Sequence, residues 1–319
     1  MKRFMTILSC SVMLFLICGA PTISFRVLKP SFLNIPEHIN SIGVIDRSVQ
    51  IKSKVLEGGL TAEIPGSDKI ASQFALDGLI NVVRNADRLN VIRTSRVFTR
   101  NTAPETFPEP LEWAEIARLC LEFKVDAIIA LEIFDSDYII PTKMTRVTVG
   151  FRFYDNKKKE IFDQKQFTHQ LVWEGRVNTL EGAINLIIDK ENAIKDVSFD
   201  AGMIYGRRIS PSYYTIEREY YRRAKKDLNL AEGARMMEAN NWDAAIDALQ
   251  RAMESNKMKV KGRAAHNLAI VYEILGDYPQ AKIWAQDAWG RYANKDSRHY
   301  SYILEQRIRE DQILLEQQR

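Results

Sequence analysis

Gly276-Asp277-Tyr278-Pro279-Gln280-Ala281-Lys282-Ile283-Trp284-Ala285-Gln286-Asp287-Ala288 decides the fold of the C-terminal third of this chain. Ala281, Ala285 and Ala288 fall on one side of a helix, and side chains this small let a neighbouring helix approach closely. Leu268, Ala269 and Tyr272, just upstream, belong to that neighbour, and Tyr278 fills the gap beside it. The same arrangement occurs once before, with Gly233, Trp242, Ala245, Leu249 and Ala252 in matching places. Ala245 and Ala281 are 36 residues apart, and the extra length falls in the polar connection 256–261. One helical hairpin cannot bury its own apolar stripe, so hairpins of this kind stack. Residues 297–315, with Tyr300, Ile303, Leu304, Ile308 and Leu315, read as the helix that caps the stack.

The two segments resemble the tetratricopeptide repeat, whose period is about 34 residues. The resemblance implies that the first helix of each hairpin lines a concave groove for a peptide or helix of a partner protein. Carried onto this chain, Met237, Arg263, Asn267, Ile270 and Glu273 would face that groove. The blander reading is a structural tail that docks on the N-terminal domain, because two repeats make only a shallow groove.

Just before the repeats, residues 205–226 interleave basic and aromatic side chains, among them Arg218, Arg222, Arg223, Tyr213, Tyr220 and Tyr221. Such a mixture can hold nucleic acid or anionic headgroups. Glu217 and Glu219 interrupt it, and a solvated helix face whose tyrosines pack on the neighbouring domain is the expectation.

Between about 25 and 208 the pattern alternates. Residues 39–45 are a β-rich run, 68–85 a helix with Ile70, Phe74, Leu79 and Val82 near helical spacing, and 89–93 a short strand. Residues 111–123 form a second helix with Trp113, Ile116, Leu119, Cys120 and Phe123 on one side. The near-continuous apolar run 125–134 is expected of a strand covered on both faces. Residues 146–154 and 161–173 make a hairpin around Asp155-Asn156-Lys157-Lys158-Lys159, and a long helix runs from about Thr179 to Arg208 until Ser210-Pro211 stops it. The expected fold is an α/β (α+β) N-terminal domain with a small mixed sheet, followed by an all-α domain of tetratricopeptide-like hairpins. Its boundaries are 1–20 for a signal segment, 25–208 and 213–319.

Residues 39–45, 89–92 and 117–129, the last with Val125-Asp126-Ala127, make the N-terminal domain similar to curli-secretion and penicillin-binding-protein-activator lipoprotein domains. That similarity covers roughly 39–155 and implies an accessory or assembly factor. The whole order of signal, α/β domain and short repeat tail also resembles a group of Bacteroidota lipoproteins, which implies architecture and location only.

The N-terminus carries Lys2 and Arg3 ahead of the apolar run 4–17, the layout of an export signal and short for a membrane span, which needs about 20 apolar residues. Cys18 ends the run and is the candidate for lipidation, which would tether the chain to a bilayer. Cleavage after Ala20 and an uncleaved anchor are the alternatives. Cys10 and Cys18 lie in this segment, so of three cysteines only Cys120 remains beyond it, and an internal disulfide there is excluded. Cys120 reads as a buried small apolar residue.

The formal charge is +4, and Lys2 and Arg3 account for two of those charges. The rest is near neutral, unlike a dedicated nucleic-acid binder. The four histidines are scattered, no Gly-rich phosphate loop is present, and no metal, cofactor or catalytic constellation is expected. The best acidic cluster is Glu132, Asp135 and Asp137 at the end of the 125–134 strand, where ligands often bind in α/β sheets. Asp46-Arg47 is a similar candidate, with an ion pair as the plainer account. The reading is a non-enzymatic, membrane-attached envelope protein in the periplasm or outer membrane whose repeats bind another protein. The alternative is a ligand-binding or hydrolytic α/β domain that acts on an envelope small molecule or glycan through Glu132 or Asp135.

Overall fold

The structure, a computed structural model, describes residues 20–50, 67–86, 88–100, 102, 106–139, 144–172 and 180–318. Cys10, Cys18 and the export-signal reading over 1–17 lie outside the described residues. The described residues divide into two compact units: Leu28–Tyr214 with the end of the chain from Glu310, and Thr215–Arg309 with residues 20–27. These differ from the expected 25–208 and 213–319 chiefly because the last turns of the C-terminal helix belong to the first of the two.

The N-terminal elements are β1 (Thr22–Lys29), β2 (Ser41–Gln50), α1 (Ser67–Arg84), β3 (Asn90–Arg100), α2 (Trp113–Phe123), β4 (Ala127–Ile139), β5 (Met144–Asp155), β6 (Glu160–Val172), α3 (Leu180–Ile209) and β7 (Ser212–Glu219). One five-stranded mixed sheet has the order β3-β2-β4-β5-β6. β2 runs parallel to β3 and β4, and β4–β5 and β5–β6 are antiparallel. The apolar run that begins β4 is buried from Ala127 through Phe134, because both sheet faces are covered. Ile42, Val44, Ile129 and Leu131 pack with Leu79 and Val83 of α1 and Val197 and Tyr205 of α3. Ile45, Ile128 and Ala130, one residue out of phase, pack with Ile116, Leu119 and Cys120 of α2. Phe151 of β5 stacks on Tyr205 with ring centroids 4.3 Å apart. Each such fully buried side chain contributes about 1.5–3 kcal/mol. Cys120 is buried as expected, and burial pushes its thiol up to about 11.

Three expectations are corrected. Ile70 is 58% exposed, and the core face of α1 is carried by Ala71, Ala75, Leu76, Leu79 and Val83. The strand expected at 89–93 extends to Arg100. The region 205–226 is not one helix face: α3 ends at Ile209, and Ser212–Glu219 is a strand paired with β1. Its exposure alternates residue by residue, which suits β-branched Thr215 and Ile216 among aromatics better than a helix. Arg208, near the end of α3, is fixed by Asp163, with Nε and Nη2 donating to its two oxygens at 3.0 and 2.8 Å.

The C-terminal region is all helical: α4 (Leu228–Glu238), α5 (Trp242–Met253), α6 (Met258–Ile274), α7 (Tyr278–Gly290) and α8 (Asp296–Gln317). α4–α5 and α6–α7 are hairpins joined by the same turn. At Asn240 (φ 54) and Gly276 (φ 82) the chain goes left-handed, the conformation that ends helices. Asn240 and Gly276 donate their N–H to the carbonyls of Met237 and Glu273, and Asn241 and Asp277 donate theirs to Met236 and Tyr272. The Asn241 and Asp277 side chains then accept from the amides of Ala244 and Gln280 and start α5 and α7. Ala245, Ala252, Leu268 and Ala281 lie in one core with Leu230, Ala234 and Leu249, and Ala288 is also fully buried. Trp242 and Tyr272 pack at its margin. Tyr278 is half-buried and accepts a hydrogen bond from Arg307 at 3.1 Å.

Candidate functional site

The face of α6 that turns away from α7 is not bare. Met237, Asn267 and Ile270 are fully buried and Glu273 is 1% exposed, so the residues expected to face an open partner groove are covered. The cover is the chain itself. Residues 218–223, continuing from β7, reach Glu273, His266, Asn267 and Arg263 of α6.

The contacts follow the period of an extended chain. His266, 5% exposed, places Nε2 3.0 Å from the Glu219 carbonyl and Nδ1 2.8 Å from Ser297 Oγ. A carbonyl only accepts, so Nε2 carries the proton and Nδ1 accepts from Ser297. Asn267 holds both backbone groups of Tyr221: its Nδ2 donates to the carbonyl at 2.8 Å, and its Oδ1 accepts from the amide at 2.9 Å. Arg263 donates to the Arg223 carbonyl and lies 4.6 Å from the centre of the Tyr221 ring. On the other edge, the Tyr220 amide donates to the Pro21 carbonyl at 3.0 Å.

Side chains fix the register. Arg218 donates from Nε and Nη2 to the two oxygens of Glu273, both at 2.8 Å, and Tyr300 donates to Glu273 Oε2 at 2.6 Å. The Glu273 side chain has no exposed surface, so this is a buried, bidentate pair with a phenol as third partner. Tyr220 and Arg222 both donate to Glu238 Oε1, and the Tyr220 bond holds the Glu238 carboxyl below the usual range. Tyr221 donates to Asp296. Burial and then that bond push its phenol up to about 12. Burial lowers the His266 pKa, opposed by the Glu219 carbonyl and the Asp296 charge. Beside the segment lies an open cavity of about 390 Å³, lined in part by Tyr220, Tyr221, His266, Asp296, His299 and Ile303.

His266 and Tyr300 were not among the site residues read from the sequence, and Arg218 and Tyr221 entered only as members of the basic and aromatic run 205–226. The alternating pattern of 212–219 was the available signal, because a strand there carries an extended chain towards α6.

The acidic candidates of the sheet are placed differently. Glu132 sits where the β4–β5 register shifts and is fully buried. Its Oε1 accepts from Arg47 at 3.0 Å and Tyr154 at 2.7 Å, and Oε2 lies 2.7 Å from Arg152 Nη1. Both oxygens are therefore engaged in an internal ion cluster. Burial and then the Glu132 charge push the Tyr154 phenol up to about 12. Asp135 and Asp137 lie within β4, not in a loop beyond it, and Asp137 accepts from Arg146. Asp46 accepts from Ser48, Ser72 and Gln73. Among the described residues no three His, Cys, Asp or Glu side chains converge as metal ligands, and no helix is long and apolar enough to cross a membrane.

A family model described as "Domain of unknown function (DUF8603)" matches residues 39–221, more than half of the chain, and one described as "Domain of unknown function (DUF6340)" matches residues 231–307. No curated protein matches the sequence. Solved structures similar to this chain include a PelC dodecamer from Paraburkholderia phytofirmans, at 9% identity and a TM-score of 0.30, covering 59% of this chain and 98% of that one. Lipoprotein GNA1162 from Neisseria meningitidis is similar at 18% identity and a TM-score of 0.23, over 47% of this chain and 93% of its own. The hypothetical protein CT253 from Chlamydia trachomatis is similar at 9% identity and a TM-score of 0.28, over 53% of this chain and 96% of its own.

Proposed function

We propose, for a chain that belongs to the family described as a domain of unknown function (DUF8603), a non-enzymatic role at the cell envelope: it binds another protein through tetratricopeptide-like hairpins and serves as an accessory or assembly factor. The observation that carries this reading is the inner face of α6, whose Arg263, His266 and Asn267 hold the backbone of an extended segment. Hairpins whose turns and caps recur 36 residues apart support the repeat assignment. The basic and apolar residues 2–17 support export, and Cys18 is the proposed point of attachment to a membrane.

Cross-linking of the full chain in native envelopes tests the role. The expected result is cross-links to one other protein, concentrated on α4–α8. Cross-links confined to the chain itself would overturn it. Intact mass of the mature N-terminus reads the attachment separately: an acylated Cys18 supports the tether, and a free terminus after Ala20 removes it.

A further inference from the structure

We propose that the inner face of α6 is a peptide-reading groove held shut in cis by residues 218–223, and that its occupant in trans is an extended peptide with a basic residue two positions ahead of an aromatic one. The inference rests on the interaction role proposed above and names the chemistry of its partner.

The backbone contacts are those of a reader. Carbonyls 219, 221 and 223 are taken by His266, Asn267 and Arg263, every second residue along the segment. An extended chain presents alternate carbonyls to one edge, so these three side chains suit any extended peptide, whatever its sequence. Selection comes from Glu273. Its side chain has no exposed surface, and Arg218 and Tyr300 are its partners. A buried carboxylate without a cation is strongly unfavourable, so whatever lies in the groove must bring a basic side chain to that point. The aromatic preference follows from Tyr220, 3% exposed, in the core of the repeats between the Glu273 and Asn267 contacts.

The far end of the segment is partly open: Arg222 and Arg223 are exposed, Ala224 is buried in the helical core, and the chain turns at Lys225 and Lys226, both left-handed at φ 44 and 59. The cavity of about 390 Å³ runs beside the segment and gives an entering peptide room. A tethered occupant acts at an effective concentration of the order of millimolar, so a partner succeeds only when it binds more tightly or when the tethered grip is weakened.

The experiment titrates a fluorescent peptide of residues 215–225 against three full-length chains: the unaltered chain, Arg218→Ala, and Arg218→Ala with Asn267→Ala. The expected result is saturable binding to Arg218→Ala alone, weakened about tenfold or more when the peptide's own Arg218 is alanine. A folded Arg218→Ala chain that does not bind, or that binds both peptides alike, overturns the proposal. If that variant fails to fold, hydrogen exchange of the Tyr221 amide in the unaltered chain decides. Exchange through local opening, faster than the buried amides of α6, supports a displaceable segment, and exchange only with global unfolding overturns it. Failure here while cross-links to an envelope protein persist removes the groove and leaves the interaction role standing.

Discussion

Arg218 and Glu273 form a pair in which neither side is free to lose the other. The Glu273 side chain has no exposed surface and that of Arg218 is 17% exposed. Removing Arg218 leaves a buried carboxylate with only a phenol for company. Arg218→Ala should therefore destabilise the helical unit by about 3 kcal/mol, read as a shift in the urea midpoint at unchanged slope. A loss below about 0.5 kcal/mol, as for a surface pair, would refute the buried geometry. His266 gives a second prediction. Its folded pKa is lowered by burial, so the unfolded chain takes a proton near 6.5 that the folded chain refuses. The unfolded state then binds more protons, and stability, full above that value, falls as the pH drops below it. Urea midpoints measured from about pH 7 to pH 5 should fall more steeply for the unaltered chain than for His266→Gln. Parallel curves would mean that His266 titrates alike in both states. From the sequence Asn267 and Glu273 were expected on the groove side of a helix, and the structure buries both. What covers them was not legible, because the charges of 212–223 drew attention from the two-residue alternation beneath them.

Between elements, α1 and α3 approach closely enough that the backbone of one meets the backbone of the other at two glycines. A Cβ at Gly78 would run into the Phe199 carbonyl, and one at Gly202 into the Ala75 carbonyl. Both obstacles are backbone, so neither can rotate aside, and two glycines facing each other's helix let the axes cross without intervening side chains. Gly202→Ala should cost at least the upper end of the usual overpacking range of about 1–3 kcal/mol, seen as a lowered Tm with loss of near-ultraviolet signal from Tyr205 and Phe151. A neutral result would show that the helices stand further apart. The sequence carried this in plain form as Gly202-Met203-Ile204-Tyr205-Gly206, within a helix correctly expected up to Arg208. Apolar periodicity finds large residues on a helix face and passes over the absence of one. For the same reason it placed Ile70 in the core, where small Ala71 and Ala75 lie instead. The sheet was more legible: the unbroken apolar run of β4 has a single physical meaning, burial on both faces. The hairpin of β5 and β6 shows itself by alternation and by the polar turn at 156–159.

For the molecule as a whole, the order of α/β region and helical region follows from where the period of apolar residues changes from two to about 3.6. The membership of the last residues does not follow from it. The residues from Glu310 continue α8 to Gln317 without a break, yet they belong to the unit of the sheet. An amide ties them to it: Gln317 accepts from the Ser31 N–H and donates to the Ser31 carbonyl, both at 3.0 Å, and Leu314 is also buried. Asn267 treats Tyr221 in the same way within the helical unit, so in each unit a side-chain amide stands in for a neighbouring strand. Both Ser31 and Gln317 are buried, and no helical period marks a residue 286 positions away as a partner. Truncation after Arg309 should therefore strip the Ser31 backbone of both partners inside a buried site and destabilise the sheet unit by about 2 kcal/mol or more. Hydrogen exchange should show lost protection around Ser31 and Leu33, while α4–α7 keep theirs, since their core draws on residues up to Leu304. Protection lost first from α4–α7 would mean that the end of α8 supports the helical unit, and the division of the chain at Arg309 would have to be redrawn.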